Sequence, residues 1–199
     1  MRRSGSVLAA IFISTFSASL SHAVTPIVVE SRCSSAPAYV EGGTGWANSS
    51  AKSSRATCGA GSRSSRDVGA YAEFVPAIVT DGAYDVFVTW GQTTNSNNGP
   101  NAEHVEIAIT DRDGTRITYI DMRGLPSCAG VNSDQMVYVG RGHFQANSGH
   151  KVRITNTATG QCALGSGKRY VNTDAMIFSY QATTPTLSTS WGKLKSIYR

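Results

Sequence analysis

Apolar and polar residues alternate with a period of two through most of this chain, and that period restricts it to β-structure. From Glu103 to Thr110, Val105, Ile107 and Ile109 fall opposite Glu106, Ala108 and Thr110. From Ala83 to Trp90, Tyr84, Val86, Val88 and Trp90 share one face, with Asp85, Phe87 and Thr89 on the other. An extended strand turns successive side chains to opposite faces, whereas a helix would repeat its apolar positions every three to four residues. Almost no window carries the helical period over a useful length. Further strands are expected at Ala70 to Val75, Ile117 to Asp121, Gln135 to Phe144, Lys151 to Asn156 and Tyr170 to Tyr180, with two more near Val28 and Tyr39. Asp111-Arg112-Asp113-Gly114 reads as a hairpin turn. About eight strands separated by Gly, Asn, Ser and Pro predict an all-β fold, a two-sheet antiparallel β-sandwich of jelly-roll-like form. No internal repeat of roughly 20 to 50 residues is present, which sets solenoids and propellers aside.

Residues 1–23 differ from the rest. Arg2 and Arg3 precede an apolar run from Val7 to Leu20, followed by Ser21-His22-Ala23. The run is shorter than the roughly 20 residues a membrane span needs, and Ser21 and Ala23 suit cleavage after position 23. A signal peptide over 1–23 is therefore expected, with a secreted or cell-surface protein as the product and no transmembrane segment in the mature chain. The expected division is a single sandwich domain over 24–182 and, over 183–199, a polar linker with a short basic tail. In the tail, Trp191, Leu194 and Tyr198 would share one side of a helix, fitting either a docking segment or a frayed terminus.

The formal net charge of +5 overstates the basicity of the folded body. Loss of Arg2 and Arg3 leaves 16 basic against 13 acidic residues, and Lys193, Lys195 and Arg199 in the tail account for the surplus. Nucleic-acid binding draws its affinity from phosphate neutralisation and normally needs a basic stripe, so no nucleic-acid partner is expected. The four cysteines, in an oxidising compartment, predict two disulfides, for which Cys33–Cys58 and Cys128–Cys162 are favoured among three connectivities. No C-x-x-C spacing suggests zinc.

Motifs that would name a reaction fail on inspection. Glu103, Glu106, Asp111, Asp113, Asp121, Asp134 and Asp174 supply carboxylates, but nothing singles out the acid and base pair of a glycosidase. Asp111 to Gly114 begins like a calcium loop and lacks the remaining donors. Gly165-Ser166-Gly167-Lys168 misses both flanking positions of a phosphate loop, and no G-x-S-x-G elbow occurs. No catalytic residue, cofactor or metal is assigned.

Two segments suit binding instead. Thr93 to Asn101 is an amide-rich loop, in which Asn95, Asn97 and Asn98 offer donors and acceptors matched to sugar hydroxyls. Trp46 follows Gly42-Gly43-Thr44-Gly45 and offers a ring for stacking on a sugar face. Turn chemistry for the loop and a core contact for Trp46 are the competing readings.

Three stretches together resemble the golvesin and xanthan lyase carbohydrate-binding-like domain family: Gly45-Trp46-Ala47-Asn48-Ser49-Ser50, Gly82 to Trp90, and Tyr170-Val171-Asn172-Thr173-Asp174-Ala175-Met176-Ile177-Phe178. The resemblance spans most of residues 38–180 and implies a β-sandwich module of secreted proteins with a glycan-binding role. It supplies no catalytic residues. Asn172 and Asp174 are expected to hold a strand start by local hydrogen bonds. The resulting expectation is a secreted, non-catalytic module that binds an extracellular glycan or surface polymer. The alternatives are an adhesive surface protein docked through its tail and a small secreted hydrolase or lyase.

Overall fold

The structure is a computed structural model, and it describes residues 24–51, 53, 61–91, 101–102, 104–122, 136–157 and 169–182. Among these residues there is no helix, and hence none long and apolar enough to cross a membrane. Twelve strands are present: β1 (Ile27–Glu30), β2 (Tyr39–Gly42), β3 (Ala47–Ser49), β4 (Ser62–Ser65), β5 (Tyr71–Phe74), β6 (Gly82–Thr89), β7 (Val105–Asp111), β8 (Gly114–Ile120), β9 (Met136–Phe144), β10 (Lys151–Asn156), β11 (Val171–Thr173) and β12 (Ala175–Gln181).

They form two large antiparallel sheets, one of four strands in the order β1-β12-β6-β9 and one of five in the order β2-β5-β10-β7-β8. The inward rows come from the alternation seen in sequence. Tyr84, Val86 and Val88 of β6 and Met176 and Phe178 of β12 meet Phe74 of β5, Ile107 of β7 and Val152 and Ile154 of β10 in one continuous core. Phe144 packs edge-on against Tyr84 and Phe178 at centroid distances of 5.9 and 5.3 Å. Trp90 is buried with its indole N–H donating to the Met122 carbonyl at 2.8 Å, so its one polar group is satisfied.

The all-β sandwich follows the sequence reading, with three differences. A third sheet, β11-β4-β3, is built from short polar strands without apolar alternation. The expected single strand over Tyr170 to Tyr180 is two, because the chain leaves the ladder at Asp174 and changes sheets. The return strand of the hairpin at Asp111 begins at Gly114, three residues earlier than the apolar pattern at Ile117 suggests.

Asn172 and Asp174 bond over long range. Asp174 accepts the Ser53 backbone N–H, and the Asn172 carboxamide meets Ser62 Oγ at 2.6 Å. Tyr39 Oη lies 3.2 Å from Thr173 Oγ1, and Asn156 Nδ2 donates to the Ser65 and Arg169 carbonyls, tying the small sheet to the large one. A buried polar group without such partners would cost about 1–3 kcal/mol, so these bonds offset the burial of a polar sheet.

Cys33 is not free. Cys58, Cys128 and Cys162 lie outside the described residues, as do Asn95, Asn97, Asn98 and the 183–199 tail.

Candidate functional site

The outer face of the five-stranded sheet carries a polar and aromatic surface assembled by strand register. Ladder partners point the same way, so the pairings Gly42 with Tyr71, Tyr71 with Thr155, Thr155 with Glu106, and Glu106 with Tyr119 make one row across all five strands. Beneath it, Ala72, Ile154 and Ile107 face the core. Strands lie about 4.8 Å apart, so Tyr71 and Tyr119 stand three spacings, roughly 14 Å, from each other.

Gly42 is required at its place in that row. A Cβ there would fall 2.1 Å from Cζ of Tyr71, so the ring occupies the space a side chain would need. The Gly42 carbonyl accepts the indole N–H of Trp46 at 3.0 Å. Two rings therefore converge on one glycine, and the half-buried Trp46 also packs against the core. Its packing against the core agrees with the competing reading of Trp46 as a core contact.

Next to Tyr71 the charged groups are fixed by one another. The Arg153 guanidinium lies over the Tyr71 ring at 4.3 Å. Its Nε and Nη2 donate to Glu73 Oε1 at 2.9 and 2.5 Å, and Lys151 Nζ lies 2.9 Å from the same oxygen. Burial pushes the Glu73 carboxyl up, but the bonds from Lys151 and Arg153 outweigh it and hold the group below the ordinary carboxylate range. At the far edge, Tyr119 stacks on His104 with centroids 4.2 Å apart and planes 16° apart, and Tyr119 is 50% exposed.

Other polar clusters in the described residues have structural partners. Glu41 receives Arg63 in a two-pronged contact of 2.6 and 2.7 Å, which raises the Arg63 pKa. Asp111 is buried, which pushes its carboxyl up, yet Arg116 and the N–H groups of His143 and Asp113 hold it below its ordinary range. An ionised, paired carboxylate accepts hydrogen bonds well and is poorly suited to donate a proton to a leaving group. Among the described residues no three His, Cys, Asp or Glu side chains are grouped to hold a metal ion.

Sequence reasoning named Trp46 as a candidate and did not single out Tyr71, Arg153, Tyr119 or His104. The alternation does put Tyr71 and Glu73 opposite Ala72 and Phe74, and Lys151 and Arg153 opposite Val152 and Ile154. That β5 lies beside β10, and β10 beside β7, is not written in either segment.

Two carbohydrate-active proteins are among the solved structures that share this fold. A Paenibacillus xanthan lyase superposes with a TM-score of 0.58 at 22% identity, covering 79% of this chain and 13% of the lyase. A Podospora anserina GH26-CBM35 β-(1,4)-mannanase superposes with a TM-score of 0.50 at 16% identity, covering 81% of this chain and 29% of the mannanase. The fold is shared. At these identities the likeness concerns architecture, and this chain spans under a third of either protein. It matches no protein-family model and none of the curated proteins.

Proposed function

We propose that this chain is a secreted β-sandwich module that binds an extracellular carbohydrate or related surface polymer without altering it, using the outer face of the five-stranded sheet. The observation that carries the reading is the row from Gly42 to Tyr119, with an aromatic side chain near each end and a hydroxyl and a carboxylate between them. Polyol recognition needs flat apolar surface for sugar C–H groups and fixed donors and acceptors for hydroxyls. Tyr119 supplies the first, and the interlocked Arg153, Glu73 and Lys151 supply the second at low ordering cost, because they already hold one another. The shared fold with two carbohydrate-active proteins supports the same direction.

In this reading residues 1–23 direct export, residues 24–182 form one golvesin and xanthan lyase carbohydrate-binding-like domain, and the cysteines pair as Cys33–Cys58 and Cys128–Cys162. Trp46 braces the platform at its β2 end, and Asn95, Asn97 and Asn98 add amide contacts.

The test is glycan-array binding of the full chain, with affinity electrophoresis in xanthan and β-(1,4)-mannan. Binding is expected to a defined subset of polymers and to fall on Tyr119→Ala and Arg153→Ala while circular dichroism stays unchanged. Binding that survives both substitutions, or chemical breakdown of the bound polymer, contradicts the reading.

A further inference from the structure

The outer face of the four-stranded sheet differs in kind. Here the ladder pairings Val28 with Ile177, Ile177 with Phe87, and Phe87 with Tyr138 make an apolar row across all four strands. Tyr138 is 54% exposed, Val28 43% and the neighbouring Met136 40%. Single exposed apolar residues are ordinary, but a contiguous row spanning a whole sheet marks a surface that something covers. Phe87 and Tyr138 meet edge-on, with centroids 5.6 Å apart and planes inclined at 62°. Two inclined rings do not make the coplanar floor that stacking on a flat sugar chain needs, so this face suits a protein surface better.

Two further observations indicate which protein surface. The row next to the apolar one holds Asp85 and Arg141 side by side as ladder partners, joined by bonds of 2.8 and 3.1 Å. The Asp85 side chain is mostly covered while Arg141 is half exposed, so the pair reaches the surface chiefly through the guanidinium and its shared carboxylate. β9 is also an edge strand interrupted by a bulge, since Val86 pairs with Gly140 while Phe87 pairs with Tyr138, leaving Val139 unpaired. Such a bulge discourages edge-to-edge strand addition and leaves the face as the surface for association.

The geometry points to a second copy of this chain as the occupant, in a two-fold dimer formed face to face through β6 and β9. A two-fold axis running between these strands and parallel to them sets Phe87 against Tyr138 of the partner subunit and Asp85 against Arg141 of the partner subunit. Each contact then occurs twice, as closed two-fold symmetry requires. An acid and a base at neighbouring positions on the same row are what a self-complementary face needs, whereas a surface for an unrelated partner has no such requirement. The five-stranded faces would point outward in opposite directions. If the glycan reading holds, the dimer is divalent and gains avidity on a polymer. The association itself does not rest on that reading.

The test is sedimentation equilibrium of the full oxidised chain at about 0.1 mM, far above a micromolar Kd. The parent is expected at the dimer mass, Tyr138→Glu at the monomer mass, and both unchanged in melting temperature within a few degrees. Asp85→Arg and Arg141→Asp, each alone, bring like charges together across the axis and are expected to be monomeric. Mixed in equal amounts they present opposite charges at both contacts and are expected to form the heterodimer. A monomeric parent overturns the proposal, as does a mixture of the two charge variants that stays monomeric. A monomeric parent in which hydrogen-exchange protection of the segment around Tyr138 falls on deletion of residues 184–199 would assign the face to the chain's own tail instead.

Discussion

The two outer faces of this sandwich come from the same alternating pattern and differ in the row at their centre, mostly polar on one and apolar on the other. On the five-stranded sheet the outward positions hold Tyr71, Glu73, Lys151, Arg153, Glu106 and Tyr119, with Val40 and Ile117 at the two ends of the Glu73 row, and Glu73 is neutralised in place by Lys151 and Arg153. On the four-stranded sheet the outward row is Val28, Ile177, Phe87 and Tyr138, with one ion pair beside it. Both faces cover one core, so burial of that core does not by itself dictate either arrangement. A row of fixed donors, acceptors and rings is suited to a hydroxylated ligand, and a row of apolar side chains to a surface that gives up its water. Outward residues of a sandwich thus carry information that the inward residues cannot.

Substitutions break or sharpen this contrast to different degrees. The largest effect is expected in the shared core: Phe178→Ala removes a fully buried ring that packs on Phe144 and should destabilise the fold by about 3–5 kcal/mol in urea titration, abolishing both faces together. Asp174→Ala comes next. It leaves the Ser53 N–H without its acceptor in a buried setting and should cost about 1–3 kcal/mol, again without preference between faces.

The third substitution separates the faces. Gly42→Val forces the Tyr71 ring out of its place, and glycan affinity should fall about tenfold, or roughly 1.4 kcal/mol, while self-association is unchanged. Tyr119→Ala should weaken the same binding by about threefold to tenfold through loss of one stacking ring.

Acid should produce the smallest effect. The folded-state pKa of Glu73 is depressed, so the stability it contributes is fully present above the unfolded carboxylate value of about 4.3 and is lost as pH falls through the lower folded value. Asp111 is depressed in the same way and adds to the same slope. Urea midpoints should hold steady from neutrality to about pH 5 and decline below it, with a shallower decline in Glu73→Gln.

The inward half of the molecule was legible in the sequence because burial imposes a period. Tyr84, Val86 and Val88, or Val105, Ile107 and Ile109, announce their face by recurrence alone, and all are buried. The short strands β3 and β4 were not legible, because Ala47–Ser49 and Ser62–Ser65 are held by side-chain hydrogen bonds and ladder pairing rather than by apolar burial. Trp46 was identified as a candidate because a lone indole after a run of glycines stands out, yet its link to Tyr71 passes through Gly42 and depends on the pairing of β2 with β5. Tyr119 of β8 stacks on His104, the residue just before β7, which the pairing of β7 with β8 brings beside it. The period assigns outward residues to a face but not to a neighbouring strand, so their grouping exists only once the strand order is known.

The account rests most heavily on glycan binding by the five-stranded face. It is tested most directly by calorimetric titration of the full chain with a soluble oligosaccharide fragment of the strongest array ligand, comparing Tyr119→Ala with Tyr138→Ala. A soluble fragment binds one face at a time, so avidity does not enter the result. The account predicts that Tyr119→Ala weakens binding by at least about threefold and that Tyr138→Ala leaves it unchanged. Unchanged binding in Tyr119→Ala together with loss in Tyr138→Ala would contradict it.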